Sequence, residues 1–207
     1  MAKQQKTTLS RRGFLSATAL AAAAGAMGAP AAKRPNVIFA FSDEHRWCSM
    51  GHTEMPSLQT PTMDRMAREG FSFTHAISNY PVCTPYRGLL MTGLWPFQSG
   101  LTDNGLPMRP EKQTTLGQAF KDAGYRTGYV GKWHLGGVRA EASGFDTSLI
   151  WTGDNTHWDK AEYHPKEGSP VRPKGYNATL MTDQALDFIG DGAGAPFFLM
   201  LSWNPPH

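Results

Sequence analysis

The sequence predicts an α/β fold with a largely parallel central sheet flanked by helices. Three observations carry this. Asn36-Val37-Ile38-Phe39-Ala40-Phe41 is an almost unbroken apolar run that stops at polar Ser42-Asp43, the pattern of a strand buried on both faces. Two further apolar runs, Tyr125 to Val130 and Pro196 to Leu201, end in the same way. Between the runs lie segments with helix start and stop signals, and strands alternating with helices give a layered α/β architecture.

The elements follow in chain order. Thr60-Pro61 opens a helix through Met63, Met66 and Ala67, with Thr60 as N-cap, Pro61 at the first helical position and Gly70 as the stop. Phe71-Ser72-Phe73-Thr74 alternates like a short strand. Thr84-Pro85 starts another helix, with Leu89, Leu90 and Met91 as buried positions and Gly93 as its end. Thr115 to Ala123 reads as an amphipathic helix with Leu116, Ala119 and Phe120 on one side. Residues 136–175, rich in Gly, Pro and aromatics, read as one irregular region. Thr179 to Ile189 is a helix with Leu180, Ala185, Leu186 and Ile189 inward. In a parallel sheet, ligand sites collect beyond the C-terminal strand ends. The polar residues there are Asp43 and Glu44, Lys132 and His134, and Asn204 and His207.

The chain has 207 residues and a formal charge of +3. Four of its 20 basic residues lie in residues 1–32, which hold no acid, so the remaining 16 face 17 acidic residues and the body is near neutral. Phosphate-backbone binding needs a basic surplus on one face, so nucleic acid is not expected as a partner. Residues 1–32 read as an export signal instead. A polar, basic start leads into an Ala-rich apolar run from Phe14 to Ala29, and Ala29-Pro30-Ala31 offers a small-residue cleavage site. The run is too short and too weakly apolar for a membrane span. Ser10-Arg11-Arg12-Gly13-Phe14-Leu15 resembles the twin-arginine signal, which implies a twin-arginine translocase partner, export in the folded state, and a periplasmic or extracellular destination. The body is then residues 33–207.

The chemistry is concentrated in Cys83-Thr84-Pro85-Tyr86-Arg87, followed by Gly88-Leu89-Leu90-Met91-Thr92-Gly93. A helix starting at Thr84-Pro85 points its positive end at Cys83 and at an incoming anion. Arg87, one turn along, reaches back over the same end with a fixed charge. Gly124-Tyr125-Arg126-Thr127-Gly128-Tyr129-Val130-Gly131-Lys132-Trp133-His134 places Lys132 and His134 two apart, on one face if the backbone is extended. Asp43-Glu44 ends the first strand, and Ser202-Trp203-Asn204-Pro205-Pro206-His207 follows the last.

Together these stretches resemble the type I sulfatases of the alkaline-phosphatase-like superfamily, across nearly all of residues 33–207 and in family order. The resemblance implies that Cys83 is oxidised to formylglycine by a formylglycine-generating enzyme, and that the aldehyde hydrate attacks the sulfur of a sulfate ester. It implies that Arg87 and Lys132 offset charge, that His134 acts at the formylglycine hydroxyl, and that His207 binds the ester and protonates the leaving alcohol. Asp43, Glu44 and the modified Cys83 are expected to hold a divalent cation, usually calcium, which prefers oxygen ligands. Glu44 stands where the family often has Asp, and Tyr86 where it often has a small residue. The plainer use of Cys48 and Cys83, a single disulfide, gives way to the motif around Cys83.

The expected substrate is a sulfated small molecule or glycan. Trp133, Trp151, Trp158, Tyr163 and Tyr176 serve either as a sugar platform or as packing. Phosphate or phosphonate monoester hydrolysis and non-catalytic anion binding are the rival readings. The family's remaining metal ligands and second lysine have no counterpart in the chain, so it reads as part of a longer enzyme, inactive or weakly folded alone. His45, His52, His75, His157 and His164 show no ligand spacing and read as loop or surface residues.

Overall fold

The structure, a computed structural model, describes residues 34–53, 57–153, 155–159, 162–192 and 194–207. The segment read as an export signal lies outside the described residues. No helix among the described residues is long and apolar enough to cross a membrane.

Five strands form one sheet: β1 (Val37–Asp43), β2 (Arg126–Lys132), β3 (Thr147–Trp151), β4 (His164–Pro165) and β5 (Phe197–Pro206). Their order is β1-β5-β2-β3-β4. The first four positions in that order are parallel, and only the two-residue β4 runs antiparallel, against β3. The fold class is therefore as predicted. β5 lies between β1 and β2, so the ends of β1, β2 and β5 share one edge.

Helices α1 (Pro61–Glu69), α2 (Cys83–Thr92), α3 (Pro96–Ser99), α4 (Leu116–Asp122) and α5 (Asn177–Gly190) join them. One core cluster is built on Tyr129, Trp133, Phe145, Ile150 and Phe198, with Leu116 and Phe120 of α4 packed against it. Phe120 and Phe198 stack with ring centroids 3.9 Å apart. A second cluster gathers Met181, Ala185 and Phe188 of α5 with Leu149, Phe197, Leu199 and Leu201.

Several details depart from the sequence expectation. β1 is an edge strand, not one buried on both faces: Ile38 is 51% exposed, because β1 pairs only with β5 among the described residues. Residues 71–74 form no strand, and Phe71 is 96% exposed. The irregular region 136–175 contains β3 and β4. The buried face of α5 is Asn177, Met181, Ala185 and Phe188, a regular helical stripe, and it leaves Leu186 in solvent.

Candidate active site

β1, β2 and β5 deliver Asp43, Lys132 and His207 to one edge of the sheet, and α2 delivers Cys83 and Arg87 to meet them. α2 begins at Cys83 itself, one residue before the predicted start, with Val82 extended ahead of it. The Thr84 N–H donates to Asn104 Oδ1 (2.9 Å), and the Thr84 hydroxyl donates to the His134 carbonyl (2.8 Å). These contacts tie the helix start to the loops after α3 and β2. Gly93, left-handed at φ 69°, ends the helix as expected.

Arg87 is 3% exposed, and its guanidinium serves several partners at once. Nη1 donates to the Lys132 carbonyl (2.7 Å) and Ser202 Oγ (2.8 Å), while Nη2 lies 3.6 Å from Asp43 Oδ2. The same cation sits over the Phe41 ring. The buried Lys132 ammonium donates to Asp43 Oδ2 and stands 3.9 Å from Cys83 Sγ and 3.1 Å from His207 Nδ1. Burial alone would raise the Asp43 carboxyl, but the Lys132 hydrogen bond and the Arg87 charge hold it below its ordinary value. Asp43 is thus an anion fixed between two cations beside the Cys83 sulfur.

His207 is held from both sides of its ring. Nδ1 lies 3.2 Å from Asp43 Oδ2, and Nε2 lies 3.3 Å from Glu44 Oε1 and 3.2 Å from the Asn155 amide. Glu44 reaches it from a left-handed backbone (φ 58°). His134 is also left-handed (φ 52°), so the backbone is not extended there and the expected shared face with Lys132 does not arise. Its Nδ1 is buried with no partner among the described residues. Burial first, then the Lys132 and Arg87 charges, push its pKa down, keeping the ring neutral.

A cleft of about 750 Å³ opens over this cluster, with Asp43, Glu44, Cys83, Arg87, Asn104 and His207 in its wall. The structure therefore brings together Asp43, Glu44, Cys83, Arg87, Lys132 and His207; His134 is not part of the cleft wall but lies within reach of the Lys132, Arg87, Asp43 and His207 charges. Cys48 and Cys83 are both free thiols. Asp43, Cys83 and His207 offer ligand atoms all within 4.8 Å of one another. The carboxylates of Asp43 and Glu44 suit a hard cation, whereas thiol sulfur and imidazole nitrogen do not. Of the five aromatics expected as a sugar platform or packing, Trp133, Trp151 and Tyr163 are buried packing, and Trp158 and Tyr176 present a surface, their rings 5.1 Å apart. Asn104, Asn155 and His157 were not legible as site residues, since loop Asn and His carry no spacing signal.

An α/β protein that gathers a guanidinium, an ammonium and a helix start around one side chain has the charges needed to hold an anion there. Comparison with known proteins identifies the family. The family model described as Sulfatase matches residues 35–207, and the chain belongs to the sulfatase family.

It is similar to the ulvan-active sulfatase of Formosa agariphila, 32% identical over 186 residues, covering 84% of this chain and 36% of that protein. It is also similar to the N-acetylglucosamine-6-O-sulfatase of Bacteroides thetaiotaomicron, 34% identical over 179 residues, covering 84% and 31%. A solved structure in complex with its substrate D-glucosamine-2-N,6-O-disulfate superposes with a TM-score of 0.78 at 32% identity, covering 84% of this chain and 35% of that one. The chain spans about a third of the length of these relatives.

Proposed function

We propose that this chain supplies the nucleophile side of an active site that hydrolyses sulfate monoesters of sugars. The observation that carries the reading is the buried pair Arg87 and Lys132, converging with Asp43 on Cys83 at the start of α2. Sulfatase membership supports the reaction class, and the relatives' sulfated-sugar substrates support the substrate class.

Cys83, once oxidised to formylglycine by its generating enzyme, adds water to become a gem-diol. One hydroxyl attacks sulfur as the ester S–O bond breaks, and loss of the second hydroxyl's proton restores the aldehyde as sulfate leaves. The thiol sulfur of Cys83 marks where the attacking oxygen would stand. Arg87 and Lys132 hold the sulfate oxygens and offset charge as the S–O ester bond breaks, and their burial makes each charge count for more than in water. His207 binds the ester and gives a proton to the departing alcohol oxygen. His134, kept neutral, takes the proton from the remaining hydroxyl as sulfate leaves. Asp43 and Glu44 would contribute carboxylate oxygens to a divalent cation, whose chemistry is to neutralise anionic oxygens.

The same reading has residues 1–32 direct folded export by the twin-arginine route, and has activity depend on more chain than these 207 residues. The share of the relatives that is covered, and a β1 edge that has no partner among the described residues, support the latter.

The test is full-length protein matured in a host that makes formylglycine. Cys83→Ala is expected to lower hydrolysis of an aryl sulfate by at least about 10³-fold, the scale of losing a covalent nucleophile. Activity at the parental rate in that variant overturns the reading, as does faster turnover of the matching aryl phosphate than of the sulfate.

A further inference from the structure

We infer that His157 is a positioning residue for His207, acting from the loop after β3; this rests on the role proposed for His207 above. The last residues of β5 and His207 form a turn closed by the His207 N–H on the Asn204 carbonyl (3.1 Å). His157 holds both ends of that turn. Its Nε2 lies 2.8 Å from the His207 carbonyl, and its Nδ1 lies 3.4 Å from Asn204 Nδ2. One neutral tautomer satisfies both: Nε2–H donates to the carbonyl, and Nδ1 accepts from the amide. With each ring nitrogen engaged on a different end of the turn, the direction in which the His207 imidazole leaves the backbone is fixed.

The loop that carries His157 is itself anchored. Asn177, 3% exposed at the first position of α5, donates its N–H to the His157 carbonyl (2.9 Å) and its Nδ2 to the Thr156 carbonyl. Trp158 pairs with Tyr176 just ahead of the same helix. Asn155, two residues before His157, places its amide 3.2 Å from His207 Nε2. A single loop thus touches His207 at its carbonyl and at its ring, on the side away from Lys132. Asn204, at 1% exposure, gives the arrangement a buried base.

A residue that aims a proton donor matters most when the leaving group is poor. A merely structural residue slows good and poor leaving groups alike. The experiment compares kcat/KM for an aryl sulfate and for an unactivated alkyl or sugar sulfate in the mature full-length enzyme. His157→Ala is expected to lower the second by about 10–100-fold, the usual scale for an outer positioning contact. The first is expected to fall by less than about threefold, on leaving-group grounds. His157→Gln, which keeps a donor toward the carbonyl, should recover part of the loss. His207→Ala is the reference and should show the same selective loss. If His207→Ala is selective and His157→Ala slows both esters equally, the positioning role is wrong. If His207→Ala is not selective, the reading of His207 itself fails. Should His157→Ala not fold, Asn155→Ala, an exposed position, carries the same test with a smaller selective loss expected.

Discussion

Two buried tyrosines show how much a single residue's partners decide. The Tyr129 hydroxyl donates to the Lys132 carbonyl (2.7 Å) beside the Arg87 guanidinium, so it is part of the scaffold under the site. The Tyr163 hydroxyl is equally buried and has no partner among the described residues, and burial pushes its pKa up to about 12. The same substitution should therefore destabilise at one position and not at the other. Tyr129→Phe is expected to destabilise by about 1 kcal/mol or more, since it strips a satisfied bond from a buried carbonyl. Tyr163→Phe should be neutral or stabilise by up to about 1 kcal/mol, because the orphaned hydroxyl is removed. Urea unfolding midpoints of the two variants check this, and a loss at Tyr163 matching that at Tyr129 would contradict it. Neither effect was legible in the sequence, where Tyr129 sits in a strand run and Tyr163 reads as either a sugar platform or packing. Cys83 and Arg87 were legible because helix geometry links positions four apart. His157 was not, because its value comes from a residue fifty positions away.

At the scale of elements, the strands that read clearly were those with long apolar runs and polar ends. β3 escaped notice because Thr147-Ser148-Leu149-Ile150-Trp151 is short and set among Gly, Pro and aromatics, and β4 because two residues carry no period. What aligns β3 is a residue just ahead of it. Asp146 receives the Lys121 ammonium of α4 (2.7 Å) and the Thr127 N–H of β2 (3.3 Å), so one carboxylate joins three elements. Burial alone would raise its pKa, but those donors hold it below the ordinary carboxylate value. A depressed folded-state pKa contributes stability above the unfolded-state value, near 3.8, and the contribution is lost as pH falls through the folded value. Asp146→Asn should therefore narrow the stability gap to wild type on acidification. The difference in urea midpoints is expected to be largest near pH 6 and smaller near pH 3, shrinking as pH falls below 3.8. A gap that stays constant over that range would mean that the carboxylate charge is not what joins these elements.

For the molecule as a whole, the site's two halves of order do not match. The floor under Cys83 is dense: Arg87, Lys132, Tyr129 and Ser202 are all buried and bonded. The other side is open and apolar: Ile77 lines the cleft near Phe41 and is largely in solvent, as are Phe71 and Phe73 a few residues earlier in the chain. Burying a large apolar side chain is worth about 2 kcal/mol, so these three forgo about 6 kcal/mol, comparable to the whole net stability of a small domain. Among the described residues β1 adds a strand edge with no partner, and such edges pair readily with other chains. Expressed alone, the 207-residue chain should therefore bind a hydrophobic dye such as ANS and self-associate at micromolar concentration. Replacing Phe71, Phe73 and Ile77 together by Ser is expected to at least halve the dye signal without lowering the unfolding midpoint, since these side chains pack on little in the chain itself. A midpoint that falls sharply would show that they are already buried in solution, and that the apolar wall is closed rather than waiting for a cover.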